Sequence, residues 1–539
     1  MITEILRDSQ GGFARAGEIL RAGGLVAIPT ETVYGLAANA LDPEAVKGIF
    51  KAKGRPGDNP LIVHITEVSQ WAPLVSSLPG RALKLAERCW PGPLTIILPK
   101  SPLVPYETSG GLDTVAVRCP SHPAARAVIN AAGVPLAAPS ANISGRPSPT
   151  TFAHTYEDLS GLVDAVLDGG DCQVGVESTV VSLCGDVPRL LRPGGVTEGQ
   201  LRSVLGELEV DPAVIGELKP GEPARSPGMK YKHYAPRARI EVIDGSPEEY
   251  IEYVNSLGET QGTYALCFDE TAAEVKMPAL AYGPRYDRET QARRLFYALH
   301  RLDELGAKRA LAQLPGRTGV GLAVYNRLAR AAGFCIEKLP GPMIVGLVGP
   351  SGAGKSTVAA ELVNRGFQLI DCDGLTRRDD VYDADCIEKL CRAFGSEVAP
   401  MGKLDRRELA ARAFRDPEGV ELLGEITFPP ILRAVRRELK SLKDSGLSGP
   451  MLLDAPTLFE AGLDRICRRI LAVTAPEAIR LRRVLERDGL TREQALERFR
   501  SQQPEGFYAA RADYIVDNGG GTLEPQIERI CAELKGAVG

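Results

Sequence analysis

The stretch MIVGLVGPSGAGKST, Met343 to Thr357, constrains this chain more than any other. An apolar run leads there directly into Gly349-x4-Gly354-Lys355-Ser356. In that spacing, successive backbone N–H groups can cradle a β-phosphate, the lysine can bridge β and γ, and the hydroxyl can reach a divalent cation. Chance produces such a match in a chain this long on the order of a few per cent of the time. The context predicts a buried strand over Ile344–Val348, a helix over Thr357–Asn364 and a helix end at Gly366. A loop of this kind follows the first strand of its domain, so the residues ahead of it must fold independently. At about 100–200 residues per domain, 539 residues make three or four domains.

With 44% hydrophobic and 25% charged residues and a net charge of −5, the composition argues against disorder and against a bulk electrostatic grip on nucleic acid. No apolar run reaches membrane-spanning length, and the opening MITEILRDSQ carries acids where a signal peptide carries lysines. The expectation is a cytoplasmic protein with no membrane partner. Eleven cysteines without a CxxC pair predict reduced thiols rather than a zinc site or a disulfide framework.

Strand-like runs in the first half repeatedly break into polar loops. GLVAIPTETVYGL stops at Pro29 and is followed by Thr30, Thr32 and Tyr34. DPEAVKGIFKAKG reads as a helix capped by Asp42, and Lys53 and Arg55 after it, two apart, share one side if the segment is extended. Such a pair is either a phosphate clamp or a solvated basic loop. DTVAVRCP ends near Arg118, PLAAPSANISGRPSPT breaks into a Ser, Asn, Gly and Pro loop, GVESTVVSL opens with Glu177, Ser178 and Thr179, and LLRPGG adds Arg192. Each could be turn chemistry alone. Together they favour an anion site at strand ends, with donors suited to a nucleotide and a carboxylate.

PTETVYGL, KAKGRPGDNPLIVHI, WPGPLT, PSANISGRPSPT, GVEST and LLRPG, in this order, resemble the signature motifs of the YrdC-like threonylcarbamoyl-AMP synthases over residues 1–210. The resemblance implies a twisted-sheet α/β domain that condenses L-threonine, bicarbonate or CO2, and ATP into threonylcarbamoyl-adenylate and diphosphate. That product serves the machinery that transfers the threonylcarbamoyl group to tRNA. It also implies that Thr32, His64, Arg118 and Ser178 bind threonine, with Arg118 on its carboxylate. Lys53, Arg55, Asn59, Ser140, Asn142, Ser148 and Arg192 would hold ATP, the first two acting as catalytic cations beside Mg2+. A lone histidine inside LIVHI is otherwise a core residue, and only the motif makes His64 a ligand.

Residues 211–238 lose periodicity and contain SPGMKYKHYAPRA, by sequence alone a linker. Longer members of the family carry an equivalent segment across the nucleotide, which implies a lid with Tyr231 on ATP. Residues 239–340 alternate strand-like and helix-like runs, the pattern of a small Rossmann-like accessory α/β domain with a structural or gating role.

Residues 341–539 continue as an α/β nucleotide fold with a parallel sheet. The strand FQLI ends in Asp371-Cys372-Asp373, where an acid can take a proton from a hydroxyl, organise metal-bound water, or merely cap a helix. Arg483 and Arg487 lie one helical turn apart, with Arg480 and Arg482 nearby, either as a solvated face or closing over a phosphoryl group. IDCDGLTRR, KLDRREL, APTLFEAGLD, RRVLERDGLT and ARADYIVDNGG resemble dephospho-CoA kinase. The resemblance implies transfer of the γ-phosphate of ATP to the ribose 3′-hydroxyl of dephospho-CoA. Gly349, Gly352, Ala353, Gly354, Lys355, Ser356 and Thr357 would contact ATP, and Ser356 would hold Mg2+. Asp373 would be the base, Arg377 a substrate contact, and Arg483 and Arg487 the lid cations.

The sequence departs from that family where Phe428-Pro429 replaces a usual His-Pro, where the segment after Arg378 is short, and where GPSGAGKS replaces GGIGSGKS. The expectation is a bifunctional enzyme using ATP and Mg2+ at two independent sites. The rivals are a regulatory nucleotide-binding second half with weak or no transfer, and a first half that acts mainly as an RNA-binding module; a weak RNA contact is a further partner expectation.

Overall fold

The computed structural model describes residues 2–8, 11–216, 234–258, 260–445 and 449–536. The chain is α/β throughout and divides into two compact units, Met1–Ile243 with Ile251–Glu337, and Asp244–Tyr250 with Lys338–Gly539.

In the first unit an eleven-stranded mixed sheet runs Glu4–Arg7, Ala165–Asp168, Val26–Ile28, Gly35–Asn39, Leu136–Ala137, Ile62–His64, Thr114–Arg118, Leu94–Pro99, Thr179–Ser182, Arg189–Arg192, Glu209–Val210. Its strands are short because proline, glycine and hydroxyl residues interrupt each apolar run. Ile62–His64 and Thr114–Arg118 pair in parallel, with His64 opposite Arg118 at the last register position.

The helix Pro43–Lys53 shows how local signals place a functional side chain. The Asp42 carboxylate accepts from the amides of Glu44 and Ala45, and Pro43 takes the first helical position. Val46, Ile49 and Phe50 bury one face, and left-handed Gly54 (φ 61°) ends the helix. Lys53 therefore closes a helix. The sequence expectation of an extended Lys53-x-Arg55 segment is corrected: helix-favouring residues continue to Lys53, and the turn at Gly54 separates the two cations.

A second sheet in this unit orders its strands Ala279–Ala281, Thr263–Cys267, Arg309–Gln313, Arg239–Asp244, Ile336–Lys338. The helices Arg288–Glu304 and Gly321–Ala331 cover it. Their core of Leu295, Phe296, Leu299, Val324 and Leu328 also takes in Val33 and Val176, which come from the strand-end loops of the large sheet.

The second unit is built on five parallel strands in the order Gln368–Asp371, Met451–Asp454, Ile344–Val348, Arg469–Thr474, Tyr514–Asp517. Ile344–Val348 is central and fully buried, and chain order reverses across it, the topology that opens a crevice at the strands' carboxyl ends. The helix after the loop runs Lys355–Val363, two residues earlier than expected, because left-handed Gly354 (φ 94°) sets its start.

Helices Ala384–Phe394, Arg406–Ala413 and the 28-residue Pro417–Asp444 form the unit's helical layer. Pro429 and Pro430 lie inside the last of these. Pro430 has no N–H for the Ile426 carbonyl, which instead accepts from the Cys386 thiol at 3.6 Å.

Replacing Asp42 with alanine should cost about 1 kcal/mol of local stability in the Pro43–Lys53 helix. Amide hydrogen exchange at Glu44 and Ala45 checks this, with faster exchange in Asp42→Ala as the expected outcome.

Candidate active sites

In the first unit loops at one edge of the mixed sheet, following some strands and preceding others, converge on one cavity. It is lined by Thr32, Arg55, His64, Arg118, Ser140, Asn142, Glu177, Ser178, Arg192 and Tyr234, with apolar walls from Val33, Ile62, Ala138 and Pro139. The enclosed space is about 50 Å³, so a ligand of nucleotide size has to extend beyond it.

On its parallel strand pair, Arg118 meets Glu31 at 2.7 Å, both side chains 4% exposed. Burial disfavours the Glu31 carboxylate, yet the Arg118 guanidinium holds its carboxyl below the usual range. His64 Nδ1 lies 3.1 Å from the Ile62 carbonyl, which makes Nδ1–H the donor. Burial and the nearby Arg118 push its imidazole down to about 3, so His64 is neutral and can hydrogen-bond a ligand without contributing charge.

On the opposite side, Ser178 Oγ lies 2.8 Å from Thr95 Oγ1, and Arg192 donates to the Ser178 carbonyl at 3.0 Å and to its hydroxyl at 3.1 Å. Glu177 accepts from the Ser148 hydroxyl at 2.5 Å and from Arg327 at 2.6 Å.

Three predicted ligands lie outside the lining. Lys53 is buried and donates to the carbonyls of Ser140 and Asn142, bracing that loop from behind. Asn59 is fully buried with neither side-chain polar atom partnered. Ser148 is turned onto Glu177. Tyr231 lies outside the described residues, and Tyr234, three positions on, lines the cavity. Sequence reasoning missed Glu31, Tyr234 and Arg327, and assigned Glu177 no role. Glu31 sits inside the quoted PTETVYGL, and a buried acid among strand-end cations was the available signal.

In the second unit a cavity of about 680 Å³ opens over the phosphate loop. Gly349, Gly352, Gly354, Lys355 and Ser356 line it with Phe414, Thr457, Glu460, Arg487, Arg498, Gln502 and Tyr508. Two glycines are obligatory on geometry: a Cβ on Gly349 would sit 2.3 Å from the Val473 carbonyl oxygen, and one on Gly354 2.0 Å from Asn518 Nδ2. Both also hold positive φ, 148° and 94°.

Lys355 donates to the Gly349 carbonyl at 2.9 Å. Burial is the main cause of its lowered affinity for a proton, opposed by the nearby carboxylate of Asp454. Asp454 ends the strand beside the loop strand, opposite Leu347 in register. Its Oδ1 is buried without a partner, and burial raises its carboxyl above the ordinary range. Asp371 caps the short helix after its strand, accepting from the Gly374 amide at 3.0 Å. Asp373 is thereby left exposed and paired with Arg377 at 2.9 Å.

The arginines separate by role. Arg483 points behind the loop, donating to the carbonyls of Gly352 and Ala353 and to that of Asn518. Arg487 faces the cavity together with Arg498, and both are held by Asp488 at 2.7 Å. These two cations hold Asp488 at about 2. Arg498 and Asp454 were missed, although Asp454 closes the apolar run MLLD in the way Asp371 closes QLID. Phe428 packs with the Ile370 and Ile431 core, its ring over Gly424.

Three family models match the chain. One described as telomere recombination covers residues 18–194, the threonylcarbamoyl-AMP synthase C-terminal domain covers 196–333, and dephospho-CoA kinase covers 343–524. The threonylcarbamoyl-AMP synthase of Pyrococcus abyssi is 46% identical over 334 residues, spanning 60% of this chain and 95% of that protein. The dephospho-CoA kinase of Thermus thermophilus is 39% identical over 198 residues, spanning 36% and 93%. The crystal structure of Pyrococcus abyssi Sua5 complexed with L-threonine aligns at 44% identity and a TM-score of 0.58, covering 63% of this chain and all of that one. The chain is therefore an enzyme that joins two families in one polypeptide, the threonylcarbamoyl-AMP synthases in its first part and the dephospho-CoA kinases in its last.

Proposed function

We propose that the first unit forms threonylcarbamoyl-AMP from L-threonine, bicarbonate or CO2, and ATP, and that the second phosphorylates the 3′-hydroxyl of dephospho-CoA with a second ATP. What carries the first reading is the convergence of Arg55, Arg118 and Arg192 with His64 and Ser178 on one cavity. A guanidinium at Arg118 suits the threonine carboxylate, and neutral His64 and the Ser178 hydroxyl suit its polar groups. The carboxylate oxygen of N-carboxythreonine attacks the α-phosphorus, forming the new O–P bond as the bond to the diphosphate oxygen breaks. No protein nucleophile is required: Arg55 and Arg192 hold phosphate oxygens as charge moves onto the leaving group. Lys53 fixes the Ser140–Asn142 loop against the nucleotide. The product is then available to the machinery that modifies tRNA.

In the second unit, Lys355 and the loop amides hold the β- and γ-phosphates, Arg487 and Arg498 neutralise the transferring group, and Asp373 takes the proton of the acceptor hydroxyl. The oxygen donors Ser356 and Asp454, one orphaned buried carboxylate oxygen among them, fit Mg2+ carried on the phosphates. Held there, such an ion would supply charge neutralisation on the phosphates during transfer. Arg377, paired with Asp373, contacts the acceptor in this reading.

The two sites are proposed to work independently, so Lys355→Ala should abolish ADP formation from dephospho-CoA and leave threonine-dependent diphosphate release unchanged. Arg118→Ala should do the reverse, raising the threonine KM by roughly 100-fold through loss of a buried charged contact. Parallel assays of the full chain check both, and loss of both activities in either folded variant would contradict two sites.

Asp373→Asn should lower dephospho-CoA phosphorylation by about 10²–10⁴-fold while ATP still binds. Single-turnover kinetics with the full chain decides it: turnover equal to the unaltered protein would remove Asp373 as the base, and no dephospho-CoA phosphorylation by the unaltered protein would favour a regulatory second half.

Lys53 supplies a pH dependence. Burial and the adjacent Arg55 push its ammonium down to about 7. Above that pH the empty site holds neutral lysine, whereas bound triphosphate favours the charged form, so binding takes up a proton. ATP affinity at this site should fall by up to roughly tenfold per pH unit above 7. Calorimetry on Lys355→Ala, in buffers of different ionisation enthalpy, measures the uptake; no uptake at pH 8 would leave Lys53 as a brace of the Ser140–Asn142 loop whose charge does not respond to the nucleotide.

A further inference from the structure

The helix Gly321–Ala331 belongs to the accessory sheet, yet one of its side chains reaches the segments that carry Glu177 and Arg192 into the cavity of the large sheet. Arg327 is 0% exposed. Its Nε donates to Glu177 Oε2 at 2.6 Å, its Nη2 to the Pro193 carbonyl at 3.0 Å, and its Nη1 to Asn326 Oδ1 at 2.8 Å. The guanidinium lies 5.6 Å from the centre of the Tyr234 ring. Both acceptors in the large-sheet domain are chain neighbours of proposed ligands: Glu177 precedes Ser178, and Pro193 follows Arg192. One buried cation thus fastens the two segments that form one wall of the cavity. Packing points the same way, since Val176, adjacent to Glu177, sits in the accessory core with Leu295, Phe296 and Leu328.

The charges explain why a cation is needed. Glu177 lines the cavity, and an unpaired carboxylate there would repel a triphosphate and compete for Arg192. Arg327 is the leading partner that holds the buried Glu177 ionised, with Arg192 next. While Arg327 satisfies Glu177, Arg192 keeps its two bonds to Ser178 and faces the cavity.

We propose that Arg327 is a positioning residue for adenylate synthesis: by neutralising Glu177 and holding Pro193, it keeps Arg192 and Ser178 set for ATP, making the accessory domain part of the working site. The inference rests on the cavity being the ATP and threonine site.

The test is steady-state kinetics on the full chain, with threonine- and bicarbonate-dependent diphosphate release as the readout and dephospho-CoA phosphorylation on the same sample as the internal reference. Arg327→Met should raise the KM for ATP about tenfold or more and lower kcat less, because it disturbs ground-state placement of the nucleotide. The double variant Arg327→Met with Glu177→Gln should recover most of that loss, since it removes the stranded carboxylate as well. A purely structural arginine would show no such recovery. Arg327→Lys, which keeps the charge and gives up a simultaneous reach to Pro193, should raise the KM about threefold, and it carries the test if the methionine variant does not fold. An unchanged KM for ATP in folded Arg327→Met or Arg327→Lys, or a double variant no better than the single, overturns the proposal while leaving the cavity assignment standing. Absence of threonine-dependent diphosphate release from the unaltered chain overturns both.

Discussion

A cation withdrawn from water persists only where oxygen lone pairs replace that water, and in each unit such cations brace loops at the ends of strands. Lys53 sits among the carbonyls of Ser140 and Asn142, Arg118 against Glu31, Arg327 between Glu177 and Pro193, and Lys355 on the Gly349 carbonyl beside Asp454. The strands fix where each loop leaves the sheet, and the cations fix what shape it then takes. Remove the pairing and the loops lose the reason for their conformation as well as their charge. The functional geometry of both halves depends on this arrangement more than on either sheet.

The two halves then meet phosphate by opposite means. The second unit relies on backbone N–H groups, which requires glycine wherever another strand approaches, as at Val473 and Asn518. The first unit offers guanidinium side chains from three separate segments, those of Arg55, Arg118 and Arg192, so no single contiguous motif marks its site. This difference explains what could be read from the chain. A phosphate loop is a local object whose spacing, preceding strand and following helix are all sequential, and it was legible down to the identity of its central strand. The other cavity is a long-range object, assembled from residues more than 150 positions apart, and only its hydroxyl-rich and arginine-bearing strand ends were visible.

Partners were the least legible part. Glu31, in the polar loop after Pro29, carries no local mark of its role, yet it meets Arg118, which comes from the end of a distant strand. Arg483 and Arg487 share a helix face at one-turn spacing, but one turns to the carbonyls beneath the loop and the other to the cavity, because Asn518 draws the first inward. Arg498 comes from a different helix and joins Arg487 through Asp488, a relation that spacing does not express. Local capping was read well at Asp42; the reach of its helix to Lys53 was not, since propensity alone does not say whether a lysine or the following glycine ends the last turn.

The proline pair in the helix Pro417–Asp444 has a mechanical meaning. Ahead of it, Leu423 and Ile426 pack with Cys386, Leu390, Val398 and Leu409 in a small helical cluster. After it, Ile431, Leu432, Ala434 and Val435 pack on the main sheet core with Ile370 and Leu453. One helix therefore belongs to two cores, and its backbone ladder is interrupted where ownership changes. Pro429 and Pro430 withhold two amide donors from that ladder, so the helix is least bound to itself at the point where one core gives way to the other.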